Sequence, residues 1–170
     1  LFKNILPVQP GADSLPAVVT SDFKLDWAVC GSGVLTWSVF RLYRATLHAP
    51  GGQFDASRPF ALDLTYLRRI PASQIVERSI EEIRRLRVQD DELLARWQDA
   101  LAMLIPDVSL GSRLVGIFDP EGAVVFYFDS RRLGDIRDTQ FAEAFAAIWL
   151  DPQTRSPELR AKLLGEEVDK

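Results

Sequence analysis

The chain has 170 residues, of which 47% are hydrophobic and 26% charged, so it is long enough to bury a core and has an ordinary globular composition. Its formal net charge of -4 argues against a general nucleic-acid binder, which needs a basic face to displace counterions. The single cysteine, Cys30, and the single histidine, His48, exclude an internal disulfide, a thiolate metal cage and a histidine-rich metal site.

The chain is expected to begin with an irregular segment and then to form strands. The first 22 residues contain three prolines and few periodic apolar positions, which predicts an extended arm or edge strand instead of a helix. Apolar and polar residues then alternate over Lys24–Val29, as in a half-buried strand. Gly31–Gly33 predicts a tight turn after this strand, because glycine accepts a positive φ without steric cost.

The next strand changes phase partway along. Its first apolar residues share one face, whereas Phe40 is apolar on the other parity. A one-residue slip in a period-two pattern indicates either burial on both faces or a β-bulge near Val39–Arg41. A bulge would turn side chains toward a cleft and makes candidates of Ser38, Arg41 and Tyr43. In a plain central strand, Arg41 would instead reach the sheet margin.

One further strand and two helices are predicted in the middle of the chain. Apolar residues alternate over 60–66, which indicates a strand with one core face. Helical spacing then runs over 73–87, with Ser73 as the expected N-cap. Asp90 is the expected N-cap of a second helix, which Pro106 ends.

A hairpin is the next predicted element. Residues 119–122 place proline early and glycine late between the apolar segments 113–118 and 123–128. The second arm is apolar on both parities, so we expect it to be central and covered on both faces. A short strand or turn is predicted at Gly134–Ile136.

The order of elements predicts one α+β domain. Two more helices follow the hairpin, one beginning at residue 138 or 139 and one with Ser156 as its N-cap. Strands, two helices, a hairpin and two helices predict an antiparallel sheet with helices packed on one side. We expect an arm over 1–22, a single domain over 23–165 and a frayed tail over 166–170.

Motifs of several common catalytic chemistries do not occur in the sequence. It contains no GxxxxGK[ST] loop, no strand-linked GxGxxG and no GxSxG elbow. Spacing places no aspartate beside His48, which we interpret as a structural residue at a strand end. We expect no metal and no cofactor. No apolar run approaches the ~20 residues that span a bilayer, so we expect no transmembrane segment.

Four runs of the sequence resemble the bacterial branch of the chalcone isomerase-like family. They cover most of residues 25–165 and read LTWSVFRLYRATLHAPGG, PFALDLTYLRRIPASQIVERSIEEIRRL, IPDVSLGSRLVGIF and AFAAIWLDPQTRSPELRAKLLG. The resemblance implies an open-faced β-sandwich, in which a large antiparallel sheet packs against a layer of helices with a cleft between them. The family includes enzymes that cyclise a chalcone to a flavanone, fatty-acid-binding proteins, and members without isomerase activity.

The resemblance also implies positions for the catalytic groups. The enzymes use an arginine and a threonine on the first hairpin, and a tyrosine and an asparagine on the first long helix. In this chain the threonine position holds Ser38, and the other three hold Leu35, Ile75 and Glu82. Cyclisation needs a cation for the phenolate and hydrogen-bond donors for the enolate, which leucine and isoleucine do not supply. The resemblance therefore implies that three of the four polar groups are replaced.

We predict a non-catalytic protein that binds a small apolar ligand, fatty-acid-like or aromatic, in the cleft. The candidate ligand-binding residues are Trp37, Ser38, Phe40, Arg41, Tyr43, Ile75 and Ser79. One alternative is an isomerase or intramolecular lyase for a chalcone-like or other enolisable substrate, in which Ser38 and Tyr43 donate hydrogen bonds and Arg41 supplies charge. A second alternative is a structural or partner-binding envelope protein, which a cleft filled with side chains would favour.

The sequence leaves the oligomeric state and the compartment open. Because the resemblance includes exported proteins, we expect a periplasmic location if an export signal preceded Leu1, and a cytoplasmic location otherwise.

Overall fold

The computed structural model describes residues 14–166, and a six-stranded antiparallel sheet is its largest element. Each strand pairs with the next along the chain: β1 (Trp27–Trp37), β2 (Phe40–Pro50), β3 (Phe60–Tyr66), β4 (Arg113–Asp119), β5 (Ala123–Phe128) and β6 (Arg131–Arg137). The helices are α1 (Ala17–Asp22), α2 (Ala72–Leu86), α3 (Asp91–Leu104), α4 (Thr139–Leu150) and α5 (Pro157–Leu163). The expected α+β class with an antiparallel sheet is confirmed. Most of the predicted arm and of the predicted tail lies outside the described residues.

Helices α2 to α5 pack on one face of the sheet around the main core. Aromatic rings attach α4 to the central strands. The ring centroid of Phe145 lies 6.0 Å from that of Phe118 on β4 and 5.7 Å from that of Phe126 on β5. Within α4, the same ring lies 5.2 Å from Phe141 and 5.1 Å from Trp149. This row of rings fixes the position of the helix layer over β4 and β5.

Helix α1 covers the opposite face of the sheet, which corrects the prediction of extended chain through residue 22. Val19 is fully buried in a second cluster with sheet residues that include Val115 and Ile117. Pro16 precedes the first helical residue, where a proline does not interrupt the helical hydrogen bonds. Because α1 lies there, β3 is buried on both faces instead of one, and the prediction that β5 is covered on both faces is confirmed.

The predicted turn at Gly31–Gly33 is wrong, because both glycines lie inside β1. A Cβ on Gly31 would lie 1.8 Å from the carbonyl oxygen of Lys162, and a Cβ on Gly33 would lie 2.9 Å from Cδ1 of Leu159. The glycines therefore allow α5 to approach the strand closely. They do not serve a positive φ.

The β1–β2 turn is at Ser38–Val39, where Ser38 adopts a φ of 56° between the paired residues Trp37 and Phe40. The phase slip in the sequence thus marks a two-residue hairpin turn. A bulge follows it at Leu42, because the register shifts between the pairs Leu35–Tyr43 and Thr36–Arg41. The irregularity lies one residue beyond the predicted range 39–41.

Aspartates cap three of the helices on the main-core face. Asp90 and Asp138 accept hydrogen bonds at 3.1 Å from backbone N–H groups of α3 and α4. Asp90 is the cap predicted for α3, and residue 138 is one of the two starting positions predicted for α4. For α2 the prediction of a Ser73 cap is wrong. The helix begins at Ala72, whose N–H donates to Oδ1 of Asp107 at 2.8 Å, so the cap comes from a segment distant in sequence.

His48 has an aspartate partner that its spacing in the sequence did not indicate. Its Nε2 lies 3.1 Å from Oδ2 of Asp63, and Arg113 donates from Nε and Nη2 to the same carboxylate at 2.8 and 2.6 Å. Burial by itself would raise the pKa of Asp63, but the hydrogen bonds and charges of Arg113 and His48 outweigh it and hold that pKa below its usual value. The register places this group on the face that α1 covers.

Replacing Trp97 by alanine should lower the free energy of unfolding by about 3–5 kcal/mol. Its side chain is buried, meets Phe141 edge-on at 5.5 Å and donates from Nε1 to Asp138 at 3.0 Å. Trp37→Ala is the matched control, because Trp37 is 60% exposed and its loss should change stability little. Urea denaturation of both variants checks this, and equal destabilisation would contradict the assignment of Trp97 to the core.

Gly31→Ala should destabilise the fold by about 1–3 kcal/mol, because the new methyl group would overlap the backbone of α5. Gly116→Ala is the control. A Cβ there meets only the side chains of Phe118 and Val124, at 3.6 and 3.7 Å, which is ordinary contact. Thermal melts of the two variants give the comparison, and equal melting temperatures would show that α5 does not depend on the glycine.

Candidate ligand-binding cavity

A cavity of about 920 Å³ lies between the sheet and the helix layer. This volume is within the range of roughly 300–1,000 Å³ that is typical of small-molecule sites. Strands β1 to β4 form one wall, with Leu35, Tyr43, Leu64, Tyr66 and Leu114. Helices α2 and α4 form the opposite wall, and α3 and α5 contribute Leu101 and Leu159. Most of these wall residues are apolar, so the interior suits a hydrocarbon or aromatic ligand.

The cavity reaches the exposed β1–β2 hairpin, where Trp37 and Phe40 line it with 60% and 47% of their surface exposed. Each ring carries an arginine over its face. The guanidinium of Arg78 lies 5.5 Å from the Trp37 ring centroid, and that of Arg68 lies 4.4 Å from the Phe40 ring centroid. We call this region the mouth of the cavity.

The mouth carries positive charge that the described residues do not neutralise directly. Arg68, Arg69 and Arg78 line the cavity, and no carboxylate of residues 14–166 lies within 4 Å of their guanidinium nitrogens. Glu77 and Glu81 of α2 also line the cavity, but neither carboxylate lies within 4 Å of these guanidinium nitrogens. The arginines of the mouth can therefore attract an anionic group.

Two buried tyrosine hydroxyls supply polar groups to the cavity. The hydroxyl of Tyr43 accepts a hydrogen bond from Nε1 of Trp149 at 3.0 Å, and its ring meets that of Tyr66 edge-on at 5.6 Å. Burial raises the pKa of Tyr43 to about 12, against the smaller opposing effects of Trp149 and of the charge on Arg78. Burial and the neighbouring Tyr43 also raise the pKa of Tyr66. Both hydroxyls are neutral and can donate a hydrogen bond.

The predicted ligand-binding residues divide into two groups. The cavity is lined by Trp37, Phe40, Tyr43, Ile75 and Ser79. It is not lined by Ser38 or Arg41, which are exposed at and beside the hairpin turn. Ser38 lies in the hairpin turn itself. The bulge accounts for Arg41, because it places Leu42, a residue without a partner on β1, between Arg41 and Tyr43. The expectation that a bulge turns Ser38 and Arg41 into the cleft is therefore wrong.

The positions that correspond to catalytic groups present little chemistry to the cavity. Leu35 and Ile75 line it with apolar side chains. Glu82 also lines it, but its carboxylate is in ion pairs with Arg155 and with Nη2 of Arg85, the latter at 3.1 Å. Ser79, one turn from Ile75, donates its hydroxyl proton to the Ile75 carbonyl at 2.8 Å. That hydroxyl is thus engaged within its own helix.

Sequence reasoning missed several lining residues. Tyr66 could have been found, because it lies on the same parity as Leu62 and Leu64 at the end of a predicted strand. Arg68 had a weaker signal, as a charge directly after that strand. Arg78 had none, because a charge on the polar side of a helix is ordinarily solvated. Trp149 is an apolar residue of a predicted helix, but only the packing gives it a partner in Tyr43.

Within residues 14–166 no helix has the length and apolar character needed to cross a bilayer. The same part of the chain contains no group of three or more His, Cys, Asp or Glu side chains arranged to hold a metal ion.

An open antiparallel sheet, a helix layer and a cavity between them define a class of protein with an internal ligand site. A family model described as chalcone isomerase-like matches residues 18–165, and the chain belongs to that family. An uncharacterized protein of Haemophilus influenzae is 28% identical over 141 residues, which are 82% of this chain and 69% of that protein. A fatty-acid binding protein of Arabidopsis thaliana has a TM-score of 0.64 at 10% identity, covering 82% of this chain and 87% of that one. The second likeness shows a shared fold.

None of the 3 tyrosines should ionise near its ordinary pKa of ~10 while the protein is folded. Burial raises the pKa of Tyr43 to about 12 and also raises those of Tyr66 and Tyr127. The resulting stabilisation is present below the unfolded pKa and is lost as the pH rises toward the folded pKa. Tyrosinate should therefore appear together with unfolding.

Ultraviolet difference absorbance and circular dichroism, followed in the same alkaline titration, measure the two events. Tyr43→Phe should remove one tyrosinate from the joint transition. Tyrosinate that appears while the circular dichroism is still native would contradict the burial of these hydroxyls.

Proposed function

We propose that this chain binds an elongated amphipathic anion of the fatty-acid type in the cavity, without converting it chemically. The observation that carries the proposal is an apolar cavity of about 920 Å³ whose mouth holds arginines without a carboxylate partner in the described part of the chain. An apolar chain gains free energy by leaving water for such a cavity, and a charged head group gains by remaining near the arginines.

The cavity favours one orientation of the ligand, with its carboxylate at the mouth. The two tyrosine hydroxyls that line the cavity are neutral, and the Tyr43 hydroxyl already accepts a hydrogen bond from Trp149. Moving a carboxylate there would remove its hydration without a cation in return, which is costly. At the mouth, Arg68 and Arg78 supply cations that remain in contact with water.

The likeness to a fatty-acid binding protein of Arabidopsis thaliana supports the proposal at the level of the fold. The identity of 10% does not carry a ligand from one protein to the other. The choice of a fatty acid therefore rests on the mouth charges and the apolar walls of this chain.

The two alternatives have less support. An isomerase of the kind predicted from the sequence would use Ser38 and Arg41, and neither lines the cavity. A structural or partner-binding protein was expected to have its cleft filled by side chains, whereas this cleft is open. Tyr43 and Tyr66 line the cavity and could still donate hydrogen bonds to an enolate. Loss of chalcone absorbance that is faster with the protein than in buffer would therefore favour the isomerase.

Displacement of a fluorescent fatty-acid analogue from delipidated protein tests the proposal. Hexadecanoate should displace the probe, and its affinity should be at least about tenfold higher than that of its methyl ester. The ester carries no charge and so loses a charge-assisted interaction of ~1.5 kcal/mol or more. Ile75→Trp should weaken both ligands by filling the cavity.

Arg78→Gln should weaken hexadecanoate about five- to tenfold and leave the ester unchanged. Arg58→Gln, in the loop at the other end of the sheet, is the control and should change neither affinity. Absence of probe displacement by hexadecanoate would reject the fatty-acid proposal. Equal effects of the two arginine variants would reject the assignment of the head group to the mouth.

A further inference from the structure

The antiparallel register brings three connections to one end of the sheet, which we call the tip end. The pairs Trp37–Phe40 and Phe128–Arg131 close the β1–β2 and β5–β6 turns there. The pair Tyr43–Tyr66 shows that the segment leaving β3 emerges at the same end. The tip end therefore contains the mouth of the cavity and the residues around it.

Apolar side chains protrude from the tip end into solvent. Three large apolar residues within four positions of the chain are exposed: Trp37 at 60%, Val39 at 83% and Phe40 at 47%. Leu110 is 75% exposed in the segment that joins this end through a hydrogen bond from the Gly111 N–H to the Tyr66 carbonyl at 2.8 Å. A concentration of large apolar residues at one convex turn indicates an interaction surface.

The same end is positively charged in a chain whose formal net charge is -4. Four exposed arginines lie at this end of the sheet: Arg41 beside the apolar turn, Arg68 and Arg69 after β3, and Arg131 at the start of β6, the opposite edge strand. No carboxylate of residues 14–166 lies within 4 Å of their guanidinium nitrogens. The aspartates here, Asp107 and Asp129, accept hydrogen bonds from backbone N–H groups at 2.8 and 3.0 Å. Glu77 and Glu81 of α2 line the cavity beside Arg78 and offset part of the charge.

The opposite end of the sheet has a different balance. Its turns and strand ends carry several acids, namely Asp26, Asp55, Asp119 and Glu121, and fewer bases. The molecule therefore has a basic, apolar end and an acidic end. This asymmetry would orient the protein in the field of an anionic surface.

We propose that the tip end docks on an anionic lipid surface. Trp37, Val39 and Phe40 enter the interfacial layer, where aromatic rings are favoured, and the arginines lie over the acidic head groups. A second copy of the chain is a poor partner, because it would bring the same positive charges into contact. Val39, the most exposed of these apolar residues, stands at the hairpin turn and does not line the cavity.

Docking at this end would serve the proposed function and rests on it, because the docked end holds the mouth through which a lipid-soluble anion would enter the cavity. Docking itself can be measured without any ligand. Two tip residues, Val39 and Arg41, do not line the cavity, so their replacement separates docking from ligand binding.

Sedimentation with vesicles tests the docking. The whole protein should bind vesicles of phosphatidylglycerol and phosphatidylcholine, should bind pure phosphatidylcholine at least tenfold more weakly, and should lose binding as salt screens the charges. Val39→Asp and Arg41→Glu should each reduce the partition coefficient at least about fivefold. The arginine variant removes a basic residue, which contributes ~1 kcal/mol near an anionic surface, and the valine variant puts a negative charge where an apolar side chain enters the interfacial layer. Both variants should keep the wild-type affinity for hexadecanoate in solution.

Leu25→Asp and Arg58→Glu are the matched controls, because they make the same kinds of change outside the tip end. They should leave vesicle binding within about twofold of the wild type. No binding to acidic vesicles, or an equal loss in the tip and control variants, would overturn the proposal. Self-association that Val39→Asp abolishes, without vesicle binding, would overturn it in favour of a second copy. Vesicle binding without any affinity for hexadecanoate would leave docking intact and reject the proposed ligand.

Discussion

The close contact between α5 and β1 is the constraint on which the site depends. Two glycines in β1 allow the backbone of α5 to lie against the strand, since a methyl group on Gly31 would be only 1.8 Å from a carbonyl oxygen of the helix. The aromatic row of α4 fixes the helix layer over β4 and β5 at the same time. Between these two attachments, α2 and α4 face β1 to β3 across open space. The cavity is the volume that remains between two regions of tight packing.

The two faces of the sheet have different roles. The face under α2 to α5 holds the main core and the cavity, whereas the face under α1 holds a smaller apolar cluster and the buried group of His48, Asp63 and Arg113. Because the charges of Asp63 and Arg113 compensate each other under α1, they add no charge to the cavity. The polarity that ligand and lipid would meet is therefore concentrated at the tip end, where Arg68 and Arg78 lie beside Phe40 and Trp37.

Much of the fold could be predicted from local patterns. Alternation marked β3, turn residues marked the β4–β5 hairpin, and Asp90 marked the start of α3. The errors share one cause, which is that a residue's role was set by a partner distant in sequence. Gly31 serves α5, and the cap of α2 comes from Asp107. For the cavity, the phase slip in the hairpin indicated Tyr43 and the family resemblance indicated Ile75. Neither indicated Arg78, whose guanidinium lies over the Trp37 ring of the hairpin.

The sequence by itself determined most of the secondary structure, the antiparallel class and the family, because these follow from short-range periodicity and from runs of residues that the family shares. Only the tertiary structure decided which side chains face the cavity. Residues i and i+2 of a regular strand share one face, so it is the extra residue Leu42, which has no partner on β1, that lets Tyr43 line the cavity while Arg41 does not. The tertiary structure also decided that the exposed apolar turn and the basic residues Arg41, Arg68 and Arg131 lie at the same end of the sheet. These placements depend on pairing between strands that are distant in sequence, which local patterns do not specify.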